Sequence, residues 1–172
     1  IVILFLPACH IKTVDKHFSF PLEWEVQKSV WFGWSTDSAI QNVHLSMDQA
    51  LNGQVGLTIL SRSDSLLKVA LKQLSERGID TSNVVKFIHY IPNVFIRDAG
   101  PRFLKSGDEV AIADFAWNNY GYPSSFQNYQ YSNERGQLDN TLAEQNNWKV
   151  ITSDVVAEGG ALDVSSNMLL CF

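Results

Sequence analysis

Two carboxylates occupy positions that local sequence rules do not explain. Asp98 lies in Ile91-Pro92-Asn93-Val94-Phe95-Ile96-Arg97-Asp98-Ala99-Gly100-Pro101, where an Arg-Asp pair interrupts an apolar segment. Burying such charges is costly unless they are paired or offered to a ligand. Gly100-Pro101 imposes a turn, so the pattern puts Asp98 at the end of a strand, where a cavity can open. The alternative is a structural Arg97–Asp98 salt bridge at a strand end. Glu158 lies in Val155-Val156-Ala157-Glu158-Gly159-Gly160-Ala161, after an apolar run and ahead of two glycines that permit close backbone approach. A carboxylate there is desolvated, with a raised pKa unless a cation answers it. Its plainer alternative is a turn glutamate facing water.

A third stretch, Asp114-Phe115-Ala116-Trp117-Asn118-Asn119-Tyr120-Gly121-Tyr122-Pro123, interleaves aromatics with amides and a glycine. Aromatic faces attract cations and amides fix orientation, so the stretch reads as a loop lining a pocket. A hydrophobic turn whose Asn side chains satisfy nearby backbone groups is the alternative.

These segments need a scaffold, and the rest of the chain supplies an alternating one. Ser29 to Trp34 reads as a strand, and Ile40, Val43, Met47, Ala50 and Leu51 fall at helical spacing before Gly53. Val55 to Ser61 is a second strand. Ser63 can cap a helix whose inner face is Leu66, Leu67, Ala70, Leu71 and Leu74, with Gly78 as its stop. Strands follow at Val84 to Tyr90 and Val110 to Phe115, then a helix from Leu138 to Gln145. Strands at Lys149 to Thr152, Ala161 to Val164 and Met168 to Phe172 come last. Such alternation predicts an α/β architecture.

Length and charge narrow the function. The 172 residues are enough for one domain with a real core, and 45% apolar with 18% charged residues marks an ordinary globular chain. A net charge of −5 argues against a nucleic-acid surface and favours a cationic partner. Cys9 and Cys171 have neither metal-ligand nor disulfide-framework spacing, and no cofactor or metal is expected. The apolar run Ile1 to Leu6, ending in Pro7-Ala8-Cys9, is too short to span a bilayer. It reads either as a first buried strand or as the remnant of a lipoprotein-like signal, within a leader over 1–19. On the second reading Cys9 anchors the protein at the cell envelope; a cytoplasmic location is the alternative.

Taken in order, Pro21-x-Glu23-Trp24, Trp31-Phe32-Gly33-Trp34, Arg97-Asp98-x-Gly100-Pro101, Asp114-Phe115-x-Trp117-Asn118-x-x-Gly121 and Glu158-Gly159-Gly160 resemble the agmatine deiminases and the related Porphyromonas-type peptidylarginine deiminases. The resemblance covers Phe20 to Phe172. It implies a pentein, a pseudo-fivefold propeller of ββαβ units, of which residues 20–172 form the N-terminal part, truncated before the last units. It implies guanidine hydrolysis: a cysteine thiolate attacks the guanidinium carbon, ammonia leaves, and water cleaves the thiouronium, converting agmatine to N-carbamoylputrescine. On this resemblance Asp98 and Glu158 are the catalytic, guanidinium-binding carboxylates. Trp117, Asn118 and Tyr120 line the substrate, and Arg97, Gly100, Gly159 and Gly160 shape the site. A homo-oligomer is an expectation for the full-length enzyme.

The departures matter as much. The family's histidine follows its Glu-Gly-Gly motif and its cysteine lies late in a Gly-rich segment, whereas His10, His17, His44 and His89 all precede Asp98. Cys171 follows Glu158 closely, in an apolar strand, and reads as core. The loop from Trp117 to Pro123 carries no arginine to hold a substrate carboxylate, which favours agmatine over peptidylarginine. A non-catalytic guanidine-binding module is the competing reading.

Overall fold

A computed structural model describes residues 17–51, 53–89, 96–121, 136–165 and 168–171, with the backbone alone for Asn119 and for 168–171. Residues 1–16 of the expected leader, Cys9 among them, the stretch 91–95, the loop residues Tyr122 and Pro123, and the strand ends Tyr90 and Phe172 lie outside the described residues.

The first unit is a parallel sheet of β1 (Ser29–Gly33), β2 (Gly56–Ser61) and β3 (Val85–Ile88), in that spatial order. Parallel neighbours need crossovers, supplied here by α1 (Ser38–Leu51) and α2 (Asp64–Glu76). The central strand is covered on both faces, with Leu57 through Ser61 all buried, the polar Thr58 and Ser61 among them. Ser63 caps α2, its Oγ accepting from the Leu66 N–H at 3.2 Å, and Leu67, Ala70 and Leu74 face inward. Gly78 at φ +77 turns the chain out of that helix in a conformation other residues reach only with strain.

The second unit begins with β4 (Arg102–Ser106), which pairs antiparallel with β5 (Glu109–Ala116) across a tight turn where Gly107 takes φ +59. Helix α4 (Leu138–Asn146), closed by Asn147 in the left-handed region, carries the chain to β6 (Lys149–Val156), parallel to β5. A hairpin of β7 (Leu162–Ser165) and β8 (Met168–Cys171) opens a third sheet.

Two apolar clusters divide the work. Phe32, Trp34, Leu45, Ile59, Leu67, Ala70 and Leu74 fill the space between the first sheet and its helices. Leu60, on the opposite face of β2, joins Ile112, Leu138 and Leu142 in a seam between the two units. Aromatics close that seam: Trp31 stacks on Phe87 at 5.6 Å, and Phe103 meets Trp148 edge-on at 5.6 Å.

Three expectations are corrected. Asp98 is not at a strand end: Ile96–Ala99 form a single helical turn, α3, stopped by Gly100-Pro101. Arg102–Ser106 is a strand, unforeseen because two charges and a serine among five residues mask its pairing with β5. The packed chain also reaches ahead of the expected start at Phe20. Ser19 bridges Lys105, and Phe18 and Phe20 cover Leu104, Ala111 and Ala113.

Leu60→Ala removes the side chain common to both units and is expected to lower unfolding free energy by about 2–5 kcal/mol. Val43→Ala, on the exposed side of α1, should change it by less than about 0.5 kcal/mol. Urea unfolding of both variants checks this; equal effects would mean that the seam is not a core.

Candidate active site

The turn α3 and the 3-10 turn Gly159–Ala161 lie against each other, which brings together two motifs distant in sequence. Glycine makes the approach feasible. A Cβ on Gly159, which is buried, would collide with the carbonyl oxygen of Arg97. A Cβ on Gly160 would lie 2.8 Å from Asp98 Oδ1, so the second glycine leaves that carboxylate oxygen its space. Gly100 is buried for the same reason, with the Ile96 carbonyl where a side chain would go.

Asp98 is half-buried, and its Oδ2 accepts a hydrogen bond from the Tyr120 hydroxyl at 2.8 Å. Glu158 is half-buried too, at the extended residue that leads into the 3-10 turn. Arg97 is not the partner of Asp98. Its Nη2 donates to Glu23 Oε1 at 2.6 Å and its Nε to the Gly159 carbonyl at 3.3 Å. The expected Arg97–Asp98 salt bridge therefore gives way to a strut joining α3, the glycine turn and the Pro-x-Glu-Trp segment. With both side chains more than half exposed, the Arg97–Glu23 pair contributes at most about 1 kcal/mol.

The cation that serves the two carboxylate motifs is Arg102, which the sequence did not single out. From β4 its Nη2 donates to the Asp98 carbonyl at 2.5 Å and the Ala157 carbonyl at 3.4 Å, and its Nη1 to the Gly100 carbonyl at 3.0 Å. On its other side Nη1 lies 3.6 Å from Asp139 Oδ2, in a pair whose side chains are only 10% and 7% exposed. Burial lowers the Arg102 pKa, and the charges of Asp139, Asp98, Asp114 and Glu158 oppose that shift. Arginine nonetheless stays cationic at any physiological pH. Burial pushes the Asp139 carboxyl up to about 7, against the pull of Arg102 and together with Asp114. A signal for Asp139 did exist: it shares the i, i+3, i+4 face of Leu142 and Ala143, which is the buried face of α4. Nothing comparable marks Arg102, whose role depends on carbonyls from two other segments.

The aromatic loop completes one side. Trp117 meets Tyr120 edge-on at 5.1 Å, and Tyr120 takes a left-handed backbone (φ 56, ψ 27) unusual for an aromatic residue. That turn is held by Asn118, whose Oδ1 accepts from the Gly121 N–H at 3.1 Å. Asn118 thus uses its carboxamide oxygen locally, while the Tyr120 hydroxyl reaches across to Asp98.

Two carboxylate-bearing turns packed through glycines thus lie beside an aromatic loop, on consecutive three-stranded sheets. Residues 19–170 match the Porphyromonas-type peptidyl-arginine deiminase family, and the chain belongs to that family. Its fold is shared with a Cys-to-Ser variant of the C. jejuni agmatine deiminase with substrate bound (TM-score 0.67, 16% identity, 88% of this chain and 44% of that one). It is shared equally with the agmatine deiminase of Enterococcus faecalis (TM-score 0.67, 18% identity, 86% of this chain and 41% of that one). The architecture is therefore part of a pentein, and the chain spans less than half the length of these structures. No curated protein sequence matches the chain. Among the described residues no His, Cys, Asp and Glu group could hold a metal, and no helix is long and apolar enough to cross a membrane.

Two outcomes test this geometry. Gly159→Ala should be strongly destabilising, because backbone must move, whereas Gly160→Ala meets only a side-chain carboxylate and should cost far less; thermal unfolding compares them. The second concerns pH. The fold raises the Asp139 pKa, so its contribution is greatest below about 4, falls as pH rises, and levels off above about 7. Asp139→Asn lacks this loss, so its stability relative to the parent should improve by on the order of 2–4 kcal/mol from pH 4 to pH 8. Asp48, raised to about 6 by burial, titrates in both proteins and cancels in the difference. Parallel urea curves at the two pH values would exclude the assignment.

Proposed function

We propose that this chain forms the guanidinium-gripping part of an agmatine deiminase-type hydrolase, in which agmatine and water give N-carbamoylputrescine and ammonia. A guanidinium is a flat cation with delocalised charge and is a poor electrophile. Charge-assisted hydrogen bonds from its N–H groups to carboxylates fix its plane for attack at carbon. The observation that carries the reading is the packing of Asp98 Oδ1 beside Gly160, which puts that carboxylate in the turn that bears Glu158. Asp98 and Glu158 take the N–H groups, and Trp117 and Tyr120 flank the methylene chain; Tyr120 must share Asp98 Oδ2 with the incoming guanidinium or yield it.

Covalent turnover requires a thiolate that attacks the guanidinium carbon, with C–N cleavage releasing ammonia and water then cleaving the thiouronium C–S bond. The chain's cysteines, Cys9 and Cys171, and its histidines do not match the family's positions for this step. His44 is buried between Phe32 and Trp34 in the first unit, and burial lowers its pKa. The present chain is therefore read as binding without turnover. Agmatine is preferred over peptidylarginine because no arginine occurs from Trp117 to Pro123 to meet a substrate carboxylate.

Calorimetric titration of the folded chain with agmatine is expected to show saturable heat without ammonia release, with arginine binding more weakly. Asp98→Asn and Glu158→Gln should each weaken agmatine binding at least about tenfold, as loss of a charge-assisted bond does. A cooperatively unfolding chain that gives no heat with agmatine, or an Asp98→Asn variant that binds as well as the parent, would sink the proposal.

A further inference from the structure

We propose that Arg102 and Asp139 act as a positioning pair that locks the Asp98 turn to the Glu158 turn and sets the charge presented to the substrate guanidinium. This rests on the guanidinium-binding reading above and adds to it two residues that touch no substrate.

The geometry is specific. One planar guanidinium donates to the carbonyls of Asp98 and Gly100 on one turn and of Ala157, the neighbour of Glu158, on the other. Arg97 also reaches the glycine turn, but from within α3 itself and through a single bond to the Gly159 carbonyl. A lysine could keep the charge but not the fork. Asp139 approaches the same guanidinium from α4, and Asp114 from β5 lies near both.

Stability alone does not account for the pair. Arg102 Nε and Asp139 Oδ1 are buried and have no hydrogen-bond partner among the described residues, an arrangement that apolar side chains of similar volume would often improve. What an apolar pair cannot do is hold three carbonyls from two segments in one plane. The pair also controls charge. With Asp139 ionised, the Arg102 charge is compensated, and the field at the site belongs to Asp98, Asp114 and Glu158. When Asp139 takes up a proton, the Arg102 charge acts uncompensated beside those carboxylates and opposes an incoming cation. The sign is therefore weaker binding as pH falls through about 7.

The test uses the whole chain and its Arg102→Lys and Asp139→Asn variants, with agmatine titrations at pH 6 and pH 8 and peptide-resolved amide exchange. Arg102→Lys is expected to speed exchange in residues 96–100 and 157–161 together, by about tenfold, while the β1–β2 peptides keep their protection. The parent should bind agmatine more tightly at pH 8 than at pH 6. Asp139→Asn should bind weakly at both and lose that dependence. Unchanged exchange at the two turns in both variants, or an Asp139→Asn variant with the parent's pH profile, would overturn the positioning role. If Arg102→Lys does not fold, Asp139→Asn, the near-isosteric change, decides by the same two readouts. A parent that binds no agmatine defeats the binding proposal instead, and the exchange data still decide whether the clamp exists.

Discussion

Arg102 sends one guanidinium to the carbonyls of Asp98, Gly100 and Ala157, and so ties together the two turns that carry the candidate carboxylates. Neither turn has much to hold it otherwise. The helix α3 is a single turn, too short to be stable alone, and Gly159–Ala161 is a 3-10 turn of equal brevity. Their glycines allow contact but do not enforce it. Arg97 adds a second, more exposed tie from the outer side, through Glu23 and the Gly159 carbonyl. The inner tie is the stronger because it is buried, where hydrogen bonds to a charged group count for more.

That strength has a consequence for the rest of the fold. A buried cation needs a counter-ion, and Asp139 is brought to it by α4, whose Leu138 and Leu142 are anchored in the seam between the two units. The apolar seam built on Leu60 and Ile112 thus does more than join two sheets. It determines where α4 sits, α4 determines where Asp139 sits, and Asp139 holds Arg102 beneath the turns. Packing and electrostatics form one chain of dependence here, so a cavity in the seam should be felt at the site.

Much of the scaffold was legible because it follows local rules. Ser63 and Gly78 bound α2 as a cap and a stop, and Val55 to Ser61, read as a strand, contains β2. The motifs were legible as broken rules, an Arg-Asp pair among apolar residues and a glutamate before two glycines. What failed was the pairing of the charges at the site. Adjacent charges at Arg97 and Asp98 invite pairing on paper, yet successive residues on a helical turn point apart, and each finds its partner elsewhere. For Asn118 the plainer alternative, an amide that satisfies a nearby backbone group, is the one its bond to the Gly121 N–H fits. Arg102 was invisible because its significance lies in three carbonyls, and a carbonyl has no letter in the sequence.

The balance of charge at the site follows from this. Asp98, Asp114, Asp139 and Glu158 all act on Arg102, four carboxylates about one fixed cation. Such a cluster is unfavourable for folding, since the carboxylates repel one another and Asp139 is desolvated enough to hold its proton up to about pH 7. A second cation would relieve the repulsion, and a flat one would match the glycine-lined face that Asp98 turns toward Gly160. The protein's own guanidinium and that of a ligand would then occupy opposite sides of the same pair of turns. The inner one is part of the fold and sets the geometry; an outer one would be exchangeable and make use of it.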